Sequence, residues 1–151
     1  VGLNRGASGI DGLVASSAGY SKGLNQPLTL LLGDISLLHD LNSLKLISES
    51  PKHIVLIVLN NHGGGIFSFL PISEHKDIFE TYFSTPHSLG FKDAAKMFKL
   101  PYFHPESPEE FESIYLKQAS ADKSCIIEVN TLKEDNIRVQ KEWTEFLHQN
   151  R

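Results

Sequence analysis

Two apolar runs constrain this chain more than any other feature. Residues 27–34 read PLTLLLGD and residues 53–61 read HIVLIVLNN. Neither alternates polar with apolar residues. Continuous apolarity over a strand's length predicts a strand covered on both faces. Between them, SLLHDLNSLKLISES at 36–50 puts Leu37, Leu38, Leu41, Leu44 and Ile47 on one helical face and ends before Pro51. A buried strand, a helix and a second buried strand predict parallel pairing, because parallel neighbours need a crossover connection that also covers the sheet.

The alternation continues along the chain. VGLN at 1–4 reads as the end of a strand. Ile10, Leu13, Val14 and Ala18 fall at helical spacing, among small residues that let a helix lie close to a sheet. FKDAAKMFKL at 91–100 is a short amphipathic helix, and PYFHP at 101–105 a short strand. Ser107, Pro108 and Glu110 form a helix start, with Phe111, Ile114 and Tyr115 toward the core. SCIIEVNT is a strand, and 135–149 a closing helix with Val139, Trp143, Phe146 and Leu147 on one stripe. Residues 72–90 have no clear period and read as a long irregular segment with a short helical turn. The expected fold is α/β: a three-layer parallel sheet with helices on both faces, forming one domain over residues 1–151. The opening VGLN, without an initiator Met, leads to the expectation of a piece from a longer protein.

Bulk properties exclude several functions. The net charge is −4 and no basic cluster occurs, so binding that rests on neutralising phosphates of a nucleic acid is not expected. No apolar run reaches the roughly 18 residues of a membrane span. The single cysteine, Cys125, rules out an internal disulfide and suits a reducing compartment. It reads as an inert thiol in a buried strand.

Parallel sheets bind ligands at the carboxyl ends of their strands. Gly33-Asp34 and Asn60-Asn61 both fall there. Asp34 offers a carboxylate oxygen, Asn61 an amide oxygen, and glycines 63–65 permit positive φ and close backbone approach to a ligand. Oxygen donors with little charge suit Mg²⁺, which shares its shell with phosphate oxygens. A Mg²⁺-bridged diphosphate follows. From residue types alone, an Asp34 that merely caps the next helix and asparagines that merely serve a turn remain an equal alternative. His62 reads as a solvated loop histidine, and His39 and Asp40 as packing or capping residues.

Gly33-Asp34, then residues 35–59, then Asn60-Asn61 resembles the thiamin-diphosphate fingerprint. Ile35 stands where that fingerprint has its second glycine. NRGASGIDG, GDISLLHDLN and NNHGGGIFSFLP together are similar to the C-terminal, pyrophosphate-binding domain of the MenD family of thiamin-diphosphate-dependent synthases. The resemblance implies a thiamin-diphosphate-binding fold, with Asp34, Asn61 and the Gly63 carbonyl holding Mg²⁺ or Mn²⁺. It implies cofactor contacts from Ser8, Gly9, Ile10, Gly33, Ile35, Ser36 and Gly64, with Ile10 supporting the bent cofactor. Arg5 and Ser8 would meet a substrate carboxylate, with a surface or salt-bridging arginine as the alternative for Arg5, and Ile66, Phe67 and Leu70 would wall the second substrate, with plain core after a strand as theirs. The family's substrates are 2-oxoglutarate and isochorismate, on the route to menaquinone and phylloquinone.

No catalytic residue is assigned to this stretch. In the family the activating glutamate sits on the pyrimidine-binding domain of a neighbouring subunit. The resemblance therefore implies a homodimer or homotetramer, an isolated piece that is inactive, and a cytoplasmic location, or a plastid in a photosynthetic eukaryote. The alternatives are another thiamin-diphosphate enzyme of the acetolactate-synthase or decarboxylase type, and a non-catalytic α/β assembly module. Ile35-Ser36 and the NRGASG turn argue against the first, and retention of Asp34, Asn61 and the glycines against the second. A Rossmann-type nucleotide domain is excluded by the missing Gly-x-Gly-x-x-Gly after the first strand.

Overall fold

The computed structural model describes residue 2 and residues 9–149. The expected strand at 1–4 and the expected site residues Arg5 and Ser8 lie outside the described residues. In chain order the elements are α1 Leu13–Leu24, β1 Leu28–Gly33, α2 Asp34–His39, α3 Leu44–Ser48, β2 Ile54–Asn60, α4 Lys76–Phe79, α5 Lys92–Met97, β3 Tyr102–Phe103, α6 Pro108–Ala119, β4 Cys125–Asn130 and α7 Lys133–Gln149. The chain forms two compact units, residues 1–59 with 90–129, and residues 60–89 with 130–151.

The first unit holds the sheet, in the order β1-β2-β4-β3. β1 runs parallel to β2 and β3 parallel to β4, with register from Leu28 opposite Ile54 to Gly33 opposite Leu59. Alternate residues of β2 face opposite sides, as the two-residue period of a strand demands. Ile54, Leu56 and Val58 join Val14 and Ala18 of α1, Leu37 of α2, Leu44 and Ile47 of α3, and Phe91 and Ala95 around α5. Val55 and Ile57 join Cys125, Ile127 and, from α6, Phe111, Ile114 and Tyr115. The expected three layers are thus present, with α6 alone on its face among the described helices packed on the two clusters. Burying each fully enclosed Leu or Ile contributes about 1.5–3 kcal/mol.

Ser107 caps α6 as its sequence predicts, accepting from the Glu110 amide at 3.2 Å with Pro108 in the first turn. The return bond of the box is displaced by one residue, since Glu110 accepts from the amide of Glu106 at 2.8 Å.

Four expectations are corrected. β1 is not covered on both faces: exposure alternates along it and Leu31 is 60% exposed, because it is the edge of the described sheet. α1 starts only at Leu13, after Gly12 at φ 71°, so Ile10 precedes the helix. The single helix expected over 36–50 breaks at Asp40 into α2, a 3₁₀ turn at Leu41–Ser43 and α3. The break frees Asp40 for another helix: its Oδ2 accepts from the amides of Val14 at 2.7 Å and Ala15 at 3.1 Å. Gly12 has no side chain to cap α1, and Asp40 supplies the cap from 25 residues away in sequence. Finally, α7 buries none of its residues, and its stripe of Val139, Trp143, Phe146 and Leu147 is exposed.

The second unit carries 3₁₀ turns at Gly65–Phe69 and Pro71–Glu74, α4, a π turn at Glu80–Ser84, and α7. Segment 72–90 is irregular with short helical turns, as its lack of period predicts.

Candidate functional site

At the tip of β1, in the first unit, Gly33 has extended backbone (φ −84°, ψ 164°). Asp34 opens α2 and is 2% exposed, with Oδ1 accepting from the Ile35 amide at 2.7 Å. A buried carboxylate is costly unless hydrogen-bonded or paired with a cation. Ile35 and Ser36 follow, both half-buried. Gly9 and Ile10 lie exposed before α1, with Ile10 42% accessible.

At the tip of β2, in the second unit, the two asparagines have different tasks. Asn60 is fully buried and structural. Its amide donates to the Leu89 carbonyl at 3.0 Å, its Oδ1 accepts from the His62 amide at 3.1 Å, and its carbonyl accepts from Thr131 at 3.0 Å. Asn61 is different. Its Oδ1 is buried and has no hydrogen-bond partner. An unsatisfied buried amide oxygen costs on the order of 1–3 kcal/mol, so it is a place where a cation or ligand would be stabilising.

The three glycines that follow have three separate reasons. Gly63 is at φ 151°, and a Cβ there would collide with the Ser84 carbonyl. A Cβ on Gly64 would lie 2.5 Å from the Phe83 carbonyl and 3.0 Å from the Phe67 ring, while the Gly64 amide donates to the Ser84 carbonyl at 2.6 Å. A Cβ on Gly65 would run into the side-chain amide of Asn61. Each of the three glycines thus also has a reason within the chain. Gly63 and Gly64 admit the backbone of Phe83-Ser84, and Gly65 makes room for the Asn61 side chain.

Ile66, Phe67 and Leu70 stand on or beside the 3₁₀ turn Gly65–Phe69 and are not core. They are 72%, 38% and 49% exposed, with the Phe67 ring edge-on to Phe83 at 5.9 Å. Histidine 62 is not a solvated loop residue. It is half-buried at φ 60°, its ring T-shaped against His87 at 5.7 Å.

Three further residues are prominent: Asn60, named in the sequence only together with Asn61, and Glu128 and Lys133, which the sequence did not single out. Asn60 organises the turn. In the first unit, Glu128 of β4 is 2% exposed and accepts from the Phe91 amide and the Tyr102 hydroxyl, both at 2.8 Å. Burial, and then Glu128, push the Tyr102 hydroxyl above its ordinary pKa. In the second unit, Lys133 donates to Ser84 Oγ at 2.8 Å and Glu80 Oε1 at 3.1 Å. No sequence signal marked Lys133, because the closing helix was expected only from residue 135 and begins at Lys133 in the structure.

Among the described residues, no group of three or more His, Cys, Asp or Glu side chains could hold a metal, and no helix is long and apolar enough to cross a membrane. A site built from one carboxylate, one amide oxygen, a carbonyl and ligand phosphates needs no such group.

No family model matches the chain. A 2-succinyl-5-enolpyruvyl-6-hydroxy-3-cyclohexene-1-carboxylate synthase of Rubrobacter xylanophilus is 50% identical over 142 residues, 94% of this chain and 24% of that protein. The synthase of the same name from Chlorobium phaeobacteroides is 54% identical over 137 residues, 89% of this chain and 23% of that protein. The chain thus spans about a quarter of the length of these relatives. Among solved structures, benzoylformate decarboxylase from Polynucleobacter necessarius matches with a TM-score of 0.61 at 20% identity, over 80% of this chain and 23% of that one. A thiamine diphosphate-dependent 4-hydroxybenzoylformate decarboxylase from Rhodococcus jostii RHA1 matches with a TM-score of 0.54 at 23% identity, over 69% of this chain and 19% of that one. These two show a shared α/β fold.

Proposed function

We infer that this chain, similar over about nine-tenths of its length to a quarter of the 2-succinyl-5-enolpyruvyl-6-hydroxy-3-cyclohexene-1-carboxylate synthases, is the cofactor-diphosphate and cation-holding part of such a synthase. The whole enzyme would decarboxylate 2-oxoglutarate and add the resulting four-carbon unit to isochorismate. Bound thiamin diphosphate would supply the electron sink for the decarboxylation.

The observation that carries this reading is the buried, unsatisfied Oδ1 of Asn61. Its chemistry fits a divalent cation held jointly with the Asp34 carboxylate and the Gly63 carbonyl. Mg²⁺ or Mn²⁺ suits such a set, with phosphate oxygens completing the shell. Gly33, Ile35, Ser36 and Gly64 would line the diphosphate, and Gly9 and Ile10 the rest of the cofactor. Arg5 and Ser8 would bind a substrate carboxylate through charge-assisted hydrogen bonds. Ile66, Phe67 and Leu70, exposed as they are, would wall the apolar side of the second substrate.

This part holds and orients the cofactor and leaves proton transfer to another domain. A homodimer or homotetramer would bring the activating glutamate from a neighbouring subunit. The exposed stripe of α7 supports a larger assembly, since Trp143, Phe146 and Leu147 are all more than half accessible and such surface is normally covered.

The test uses the full-length enzyme. Asp34→Asn and Asn61→Ala are each expected to weaken Mn²⁺ binding at least about 100-fold in calorimetry with thiamin diphosphate present, in line with losses on disturbing a metal shell. Wild-type affinity in both variants refutes the cation site. Turnover with 2-oxoglutarate and none with pyruvate supports the synthase. The reverse favours an acetolactate-synthase or decarboxylase type.

A further inference from the structure

We propose that Lys133 is a positioning residue for the cation-holding turn Asn61–Gly65, acting through the π turn that ends at Ser84. The inference rests on the cation reading above and lies wholly within the second unit.

The turn has a definite support. Gly64 donates to the Ser84 carbonyl at 2.6 Å, and the same carbonyl occupies the space a Cβ on Gly63 would need. Where the backbone of Gly63, next but one to Asn61, and of Gly64 sits is therefore tied to where Ser84 sits. Ser84 is 3% exposed, yet it belongs to a single π turn, Glu80–Ser84, closed by the Thr85 amide on the Glu80 carbonyl at 3.0 Å. One turn of helix is not stable by itself. Something else must hold it.

Lys133 does so from three directions. Its Nζ donates to Ser84 Oγ at 2.8 Å, pairs with Glu80 Oε1 at 3.1 Å, and lies 5.1 Å above the Phe79 ring. Phe79 in turn stacks on Phe83 at 6.3 Å with an interplanar angle of 5°. The ammonium thus touches the residue just before the π turn, its first residue and its last. The Lys133 side chain is only 22% exposed, against 60% for Glu80, so it is held more firmly than an ordinary surface lysine. The Ser84 hydroxyl, and then Lys133, keep the Glu80 carboxyl below its ordinary pKa, as expected of a group used in its charged form. A lysine at the first position of α7 works against the helix dipole. The polar partners and the ring offset that cost.

The consequence is a two-step link: Lys133 fixes Ser84, and Ser84 fixes Gly63-Gly64 beside Asn61. No contact between Lys133 and cofactor is required. Metal ligands are commonly oriented by outer partners whose loss weakens metal binding about 10–100-fold, and Lys133 stands one step beyond such a partner.

The experiment measures Mn²⁺ affinity by electron paramagnetic resonance in the full-length enzyme with thiamin diphosphate present. The variants are Lys133→Met, which keeps the stem and loses the charge and donors, and Lys133→Arg, which restores both. Lys133→Met is expected to weaken Mn²⁺ about tenfold. The cofactor concentration for half-maximal rate should rise in step, while the rate at saturating cofactor falls much less. Lys133→Arg should bring the affinity back to within about threefold, which loss of general stability would not explain. Wild-type Mn²⁺ affinity in Lys133→Met overturns the proposal. Asp34→Asn in the same series separates the two readings. If it loses Mn²⁺ and Lys133→Met does not, only the role of Lys133 fails. If neither loses Mn²⁺, the cation site itself fails. Should Lys133→Met not fold, Ser84→Ala decides: weakened Mn²⁺ supports the link, and unchanged affinity overturns it.

Discussion

The Asp40 carboxylate caps a helix to which it does not belong, its Oδ2 lying 2.7 Å from the Val14 amide. It also accepts from Ala15 and from the Ser43 hydroxyl. Asp40 is 6% exposed, so removing it leaves buried donors unpaired. Asp40→Ala is expected to lower stability by about 2–3 kcal/mol, the combined loss of a cap and a buried acceptor. Asp40→Asn, which keeps one acceptor oxygen, should lose about half as much. Urea denaturation midpoints check the order.

For the cation site proposed above, variants at Gly65 and Gly63 are expected to separate cation binding from folding. Gly65→Ala places a methyl against the Asn61 amide, a side chain that can rotate away. The expected outcome is a Mn²⁺ affinity reduced by about tenfold or more, as for other disturbed ligand supports, with a melting temperature close to wild type. Gly63→Ala meets the Ser84 backbone at φ 151°, where nothing can yield. It should lose both cation binding and stability, the latter by about 1–3 kcal/mol. Thermal melts and Mn²⁺ titrations on the two variants make the contrast.

How much of this was legible in the sequence depends on the range of each interaction. β2 and β4 were plain because Ile54–Val58 and Cys125–Ile127 are buried in continuous apolar runs. Ser107-Pro108 at the start of α6 was plain because a cap is local. The break at Asp40 was not, since the residues it caps lie 25 and 26 positions away and leave no local trace. The exposed face of β1 and the exposed stripe of α7 were not legible, because an apolar run or spacing does not say whether another element covers it. Gly33-Asp34 and Asn60-Asn61 were legible as a pair by spacing, but spacing could not divide structural Asn60 from Asn61 with its unsatisfied oxygen. Glycines 63–65 were legible as unusual, while their causes at Phe83, Ser84 and Asn61 are tertiary.

Cys125 gives an alkaline signature. It is fully buried in β4, and burial pushes its thiol from an ordinary 9.0 to about 11. A pKa raised by folding means the folded state holds the proton more tightly. The stability from that difference is fully present below about pH 9, then declines as the unfolded chain ionises first, and is lost by about pH 11. Cys125→Val removes the titration. It should flatten the fall in stability over that window while changing neutral stability little. The thiol should also be silent to alkylating reagents at pH 8 in the folded protein and react at once in urea. Rapid labelling without denaturant would contradict its burial.

Glu128 provides the sharpest test of the first unit. One of its oxygens, Oε2, accepts from both the Phe91 amide and the Tyr102 hydroxyl, tying the start of α5 and strand β3 to β4. Glu128→Ala strands a buried main-chain donor and opens a cavity, so a loss of about 3–4 kcal/mol is expected. Tyr102→Phe deletes one hydroxyl and leaves the Phe91 bond intact, so about 1–1.5 kcal/mol is expected. The double variant should cost no more than Glu128→Ala plus a few tenths, because a ring without its hydroxyl has no acceptor to lose; a fully additive result would show that the two side chains do not share a bond. The pH dependence follows the same sign as for Cys125. Burial and Glu128 raise the Tyr102 hydroxyl, so its contribution is complete below the unfolded tyrosine's pKa of about 10 and falls as pH climbs beyond it. Tyr102→Phe should be relatively less destabilising at pH 11 than at pH 8. Equal penalties at both values would mean that the hydroxyl ionises as freely in the folded protein as in the unfolded chain, and that the bond to Glu128 is not made.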